Sequence, residues 1–432
     1  MKKLVFLPVI FLALFVSCKK DNIKPVTSTV TPEMAVDSLY DLMNIYYYWY
    51  NLMPKVTESN YDDPYKLLDA MMYKTLDRWS FVADYDEFNA EMAGTFVGHG
   101  FRIGLDDSGK ARIAMIYANS PLYANGVRRG WIVKTINGQD VATVLKNADA
   151  TAYNTMIGAS QAGITNIFVF TKPDGSDETI SSTKSTFTLN SVLLCDTLHL
   201  SQGVTGHLVF DSFITPSADE LITAFTFFKA NNIKDLIIDL RYNGGGYLYI
   251  APPLASYIAG NSVAGTVFAT LKYNDKFPDQ NYSFNYISTA YNLDLPRIVA
   301  ITSRSTASAS EALMNGLKPH LNIVTIGDTT NGKPVGMNGW AIGKKYWFWP
   351  ITFKIVNAKD EGDYFSGIFP NKVSSDDITH DFNDREELCL KEAIHYLETG
   401  SVSAKGAETF KRNPQFSEKH AWMNSAIVLN RK

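Results

Sequence analysis

From about residue 190 onward, short apolar runs of strand length alternate with helix-patterned stretches, and few folds satisfy that alternation. Gly206–Phe210, Leu236–Leu240, Arg297–Thr302 and Ile323–Ile326 are rich in Val, Ile, Leu and Phe. Strands of this kind are apolar on both faces, so helices must cover both. Ser217–Ala230, Pro253–Ile258 and Ala309–Leu317 supply helix patterning between or after them, the first with Ser217 as N-cap and Glu220 at the third helical position. The reading is an α/β layer around a buried sheet, over residues 190–400. At 432 residues the chain has room for further domains.

Two units precede that layer. Residues 31–92 read as a small helical domain. Thr31 caps a helix with Pro32 at its first position, and Met34, Val36, Leu39, Leu42, Met43 and Tyr46 keep helical spacing. A second helix, Pro64–Thr75, leads into Asp77-Arg78-Trp79-Ser80-Phe81. The aromatic block Tyr46–Tyr50 is read as packing at a helix end; a sugar-stacking surface would need those rings exposed side by side. Residues 94–188 change texture to short strands and turns, punctuated by Asp107-Ser108-Gly109, Asn137-Gly138 and Pro173-Asp174-Gly175. Gly98-His99-Gly100-Phe101, Ser120–Val127 and Gly130-Trp131-Ile132-Val133 resemble a PDZ domain of the bacterial-protease type. The resemblance implies that Gly98, Gly100 and Phe101 form a loop whose backbone N–H groups bind a peptide carboxylate, beside a strand edge that accepts an extended chain.

The first residues read as an address. Lys2 and Lys3 precede the apolar run Leu4–Val16, which is too short to span a bilayer, and Ser17-Cys18 follow. This pattern resembles a bacterial lipoprotein signal over residues 1–18. It implies export across the inner membrane, lipidation of Cys18, and a lipid anchor in the cell envelope, at the outer membrane or its periplasmic side. Residues 19–30 are then a linker, and 401–432 a tail with no assigned role. A net charge of −4 excludes a protein built to grip nucleic acid. Cys195 and Cys389 are expected to be buried free thiols, and the seven His to be structural. No spacing suggests a metal, and no cofactor is expected.

Three loops of the α/β layer carry the chemistry. Arg304–Leu313, reading RSTASASEAL, leaves a strand and opens a helix, where the positive end of the helix dipole favours an alkoxide or oxyanion. Taken alone it reads as an ordinary Ser/Thr-rich N-cap. Asp239–Gly246 ends in three glycines, which let backbone N–H groups approach a ligand. Asn331–Gly336 frames Lys333 with glycines; desolvation there would bring the amine toward neutrality and let it act as a base.

In this order the three loops resemble the carboxyl-terminal-processing, or tail-specific, serine protease family, and the likeness covers residues 31–400. It implies a multidomain α/β protein with a ClpP/crotonase-like protease core. It also implies a Ser/Lys dyad of Ser308 as nucleophile and Lys333 as base, 25 residues apart. The oxyanion hole would be the N–H of Ala309 with a glycine of the 244–246 run, Gly245 first and Gly244 second. Where family members carry Gln four residues after the lysine, this chain has Met337, and the adjacent Asn338 is the candidate to orient Lys333. The implied function is an envelope serine endopeptidase that selects protein substrates by their free C-termini. A catalytically inactive, peptide-binding scaffold on the same fold is the alternative.

Overall fold

The structure, a computed structural model, describes residues 30–404, 414–418 and 427–429. The expected signal, Cys18 and most of the linker lie outside the described residues.

The α/β layer is centred on a six-stranded sheet. Its order is Val192–Leu200, Gly203–Phe210, Asp235–Asp239, Arg297–Thr302, Asn322–Gly327 and Lys372–Val373. The first pair is antiparallel and the remaining pairs are parallel. Side chains alternate along each strand, so every strand serves two cores. Ile237, Val299, Ile301, Val324 and Ile326 face the helix Leu388–Thr399 through Cys389, Leu390, Ala393 and Leu397. Leu236, Ile238, Ile298 and Ala300 face the other way, into the cluster that holds Phe225, Phe228, Leu254 and Leu313. Burial of each such side chain contributes about 1.5–3 kcal/mol. This two-sided cover fixes the strand ends, and the three loops emerge from them.

A second sheet abuts the first. Its order is Gly246–Tyr247, Ile427–Leu429, Val335–Asn338, Ile351–Val356, Val267–Tyr273 and Tyr282–Asn285. The β unit after Gly94 has its own core, including Phe101, Ile103, Ile113, Leu122, Val133 and Phe168. Its sheet runs Gln415–Ser417, Phe101–Leu105, Ala111–Ile116, Ile132–Ile136, Thr165–Thr171 and Asp177–Thr183. Each of these sheets therefore includes a strand from beyond residue 414.

Some local expectations need correction. Pro216, not Ser217, occupies the N-cap of the helix Ser217–Ala230. The Ser217 hydroxyl instead donates to the Ser212 carbonyl at 2.8 Å. Glu220 reaches across to Ser191 and Val192, accepting both backbone N–H groups and the Ser191 hydroxyl at 2.7–2.8 Å. A tertiary contact has displaced the local capping box. The second helix stops at Met71, short of Thr75, and the helix at Pro253–Ile258 is longer, Ala251–Ala259, with its prolines in the first turn. Tyr47 and Trp49 are buried, and Tyr46 stacks on Phe277 with ring centres 5.0 Å apart, so no stacking platform is presented. Cys195 is half-buried and Cys389 buried, both as free thiols.

Candidate active site

Ser308 sits at the junction between the loop 303–307 and the helix Ala309–Leu317. Its backbone is at φ +69° and ψ −118°, a region that a residue with a Cβ enters only when its surroundings force it. Those surroundings are visible. Ala307 N–H donates to the Asn243 carbonyl at 3.0 Å and Asn331 N–H to the Thr306 carbonyl at 2.9 Å. The Thr306 hydroxyl donates to the Leu240 carbonyl at 2.7 Å. All three loops are thus stitched to one another. The Ser308 side chain is buried, and its Oγ has no hydrogen-bond partner among the described residues. A buried hydroxyl left unpaired costs about 1–3 kcal/mol, which fits a group kept available for chemistry.

Glu311, one turn along the helix, ties the serine to the lysine loop. Its Oε2 accepts the N–H groups of Ser308 and Lys333, each at 2.8 Å. Its Oε1 accepts Gly332 N–H at 2.6 Å and the Thr330 hydroxyl. Gly332 is at φ +90°, and a Cβ there would lie 2.4 Å from the Phe365 carbonyl oxygen, so only glycine passes this bend.

Lys333 is fully buried. Burial pushes its amine down to about 7, against the opposing pull of the Asp77 and Glu311 carboxylates. Its Nζ lies 3.8 Å from Met337 Sδ and 6.0 Å from the Trp79 ring centre. The expected partner, Asn338, is placed elsewhere. Its amide nitrogen goes to Thr352 Oγ1 at 3.0 Å and to the Tyr273 hydroxyl at 3.4 Å. Adjacent residues of a strand face opposite ways, so the position that brings Met337 to Lys333 turns Asn338 from it.

The glycine loop also differs from expectation. Gly245 N–H, first in line for the oxyanion hole, donates to Asn243 Oδ1 at 2.9 Å. The N–H groups of Gly244 and Ala309 have no acceptor among the described residues. Gly246, at φ +134°, passes so close to Phe213 that a Cβ would lie 2.1 Å from its carbonyl oxygen.

The helical unit supplies residues that motif reading passed over. Asp77 is buried and accepts from the Tyr47 hydroxyl at 2.7 Å, from Trp79 N–H at 2.9 Å and from Ser80 N–H at 3.0 Å. Trp79 Nε1 donates to Asn331 Oδ1 at 3.0 Å, and Arg78 to the Asn331 carbonyl at 2.8 Å. These contacts close the lysine loop from above. The signal was present as the polar-aromatic run 77–81, but nothing local says which loop it would meet.

In the β unit, the turn at Gly98–Phe101 holds a carboxylate, that of Glu418. His99 N–H and Gly100 N–H donate to its Oε2 at 2.9 and 2.8 Å. Gly98 contributes room, since a Cβ there would lie 2.9 Å from that oxygen, while the Phe101 ring is in the core of the unit. His99 N–H is the donor that the glycine pattern did not single out.

Comparison with known proteins follows the same lines. The model of peptidase family S41 matches residues 204–369, and that of the peptidase S41 N-terminal domain matches residues 37–81. Carboxy-terminal processing protease CtpB of Bacillus subtilis is 24% identical over 297 residues, covering 65% of this chain and 58% of that protein. A probable CtpA-like serine protease of Staphylococcus epidermidis is 23% identical over 303 residues, covering 69% of this chain and 57% of that protein. The chain therefore spans less than two thirds of the length of these curated relatives. Among solved structures, a candidate S41 protease from Bacteroides fragilis superposes with a TM-score of 0.70 at 20% identity, over 84% of this chain and 97% of that one.

Proposed function

We propose that the chain is a serine endopeptidase of the S41, carboxyl-terminal-processing protease family, working through Ser308 and Lys333. The observation that carries this reading is a buried lysine, its amine pushed down to about 7, on a loop joined through Glu311 to a buried serine held at positive φ. A neutral Lys333 accepts the Ser308 proton as Oγ attacks the peptide carbonyl carbon. The N–H groups of Ala309 and Gly244 then receive the oxyanion. When the tetrahedral intermediate collapses, the lysine ammonium returns the proton to the departing amine, and water hydrolyses the acyl-enzyme with the same base.

The PDZ-like unit delivers substrate. Support for this comes from the Gly98–Phe101 turn, whose N–H groups already hold a carboxylate in the way that a chain terminus would be held. The proposal includes tethering in the cell envelope by a lipid on Cys18, on the strength of Lys2, Lys3, the apolar run 4–16 and Ser17. Membrane-expressed protein that stays wholly in the aqueous phase of a detergent partition would refute the anchor.

The activity is tested with an unstructured substrate such as casein. Ser308→Ala and Lys333→Ala should each lower kcat/KM by about a thousandfold or more while leaving the thermal midpoint of the fold in place. Undiminished cleavage by either variant would sink the dyad. If wild-type protein binds peptides but cleaves none, the inactive scaffold is the correct reading.

A further inference from the structure

Beyond residue 414, two short strands pair with elements of the β unit and of the site. Gln415–Ser417 adds an antiparallel strand to Phe101–Leu105, with Gln415 opposite Gly104, Phe416 opposite Ile103 and Ser417 opposite Arg102. The Phe416 ring packs on the core of the β unit and stacks on Tyr153, centres 5.0 Å apart at 15°. Glu418 then places its side-chain carboxylate on the N–H groups of the Gly98–Phe101 turn, with Lys184 Nζ at 3.9 Å. Both charged side chains are buried, so this is a built site and not a surface contact. Gln415 Nε2 adds a hydrogen bond of 2.9 Å to Asp376 in the α/β layer.

Nine residues after Glu418 the chain forms a second strand. Ile427–Leu429 lies parallel to Gly246–Tyr247 on one side and to Met337–Asn338 on the other. Gly246 closes the glycine loop whose Gly244 is an oxyanion donor, and Met337 touches the Lys333 amine. The strand therefore fills a gap between the oxyanion loop and the base strand, which an extended substrate would fill with the same backbone bonds. From Glu418 to Ile427 the chain can extend to about 30 Å.

We infer that the C-terminal segment is a built-in pseudo-substrate, with 415–418 seated in the peptide groove of the β unit and 427–429 lying in a substrate slot between the glycine loop and the strand that carries Met337. It competes with incoming chains, and the peptide best able to displace it ends in a free carboxylate two residues after an aromatic, as Phe416-Ser417-Glu418 arranges. This deepens the peptidase reading and rests on it for the slot, though not for the groove.

The test uses the full chain and the variants Glu418→Lys and Phe416→Ala. A fluorescent peptide copying residues 413–418, with a free C-terminal carboxylate, is titrated by anisotropy, and casein hydrolysis is followed in parallel. Because the tethered segment competes at high effective concentration, wild type should bind the peptide at least about tenfold more weakly than either variant. Both variants should also hydrolyse casein several-fold faster. Equal peptide affinity in wild type and variants would overturn the occupancy. Tighter peptide binding without faster Ser308-dependent hydrolysis would overturn the inhibition. Each background is also made with Ser308→Ala: if none shows Ser308-dependent hydrolysis the peptidase reading fails, while the binding comparison still decides the groove.

Discussion

Lys333 and Ser308 are each held in a state that an isolated residue would avoid. A lysine ammonium in water titrates near 10.4, and removing it from water penalises the charged form. Here burial dominates over the two carboxylates that favour the charge, so the amine is substantially neutral at physiological pH. Met337 offers the amine a thioether at 3.8 Å, a weak acceptor that does little to hold the proton. Met337→Gln would offer an amide oxygen, favour the ammonium and raise its pKa. The expected outcome is a shift of the ascending limb of the kcat/KM–pH profile toward higher pH, with Met337→Leu leaving it in place. A shift to lower pH on Met337→Gln would contradict this assignment of electrostatics.

At the scale of elements, the site is an agreement between three strand ends, and Glu311 enforces it. It accepts four hydrogen bonds, three from the lysine loop and one from the helix start. Burial raises its carboxyl pKa, while the donors pull it back toward the ionised form. Glu311→Ala would leave those donors unpaired, at a cost of at least about 3 kcal/mol. Glu311→Gln keeps one acceptor oxygen and should cost less stability, yet still lower kcat by displacing Lys333 relative to Ser308. Urea unfolding and kinetics on both variants check this; a Gln variant with full kcat would reduce Glu311 to a structural role. Much at this scale was legible beforehand. The buried strands were plain because runs such as Leu236–Leu240 are apolar on both faces, and the order of Ser308 and Lys333 follows from the loops that end those strands. What escaped reading is tertiary. Ser217 lost its capping role because Glu220 found Ser191 across the sheet edge, and Asn338 lost its role because strand alternation turns it toward Thr352. Arg78 and Trp79 reach the lysine loop from some 250 residues away, a pairing that local spacing cannot express.

At the scale of the whole molecule, the β unit is coupled to the site through a charged core. Arg129 of that unit donates to the Tyr242 hydroxyl at 2.8 Å and to Asp376 at 3.1 Å. Arg241 joins Asp376 at 2.9 Å and Glu387 at 2.7 Å. Burial alone would raise the Asp376 carboxyl, but Arg129 and Arg241 hold it well below the usual carboxylate range. Tyr242 and Arg241 belong to the same loop as Gly244, so the β unit and the glycine loop meet at one charged, hydrogen-bonded cluster. Gln415 of the C-terminal segment bonds to the same Asp376 at 2.9 Å. The tail carries no role in the sequence reading because its partners are other elements' edges, and a strand of three residues has no periodicity to detect. Everything converges on whether Lys333 is the base that activates Ser308. The direct measurement is the rate of Ser308 phosphonylation by a fluorophosphonate probe between pH 5 and 10, in wild type and in Lys333→Met. In wild type the rate should rise with a midpoint near 7 as the amine loses its proton, and in Lys333→Met it should be low and lack that midpoint. A rise near 7 that survives in Lys333→Met would show that another group takes the proton.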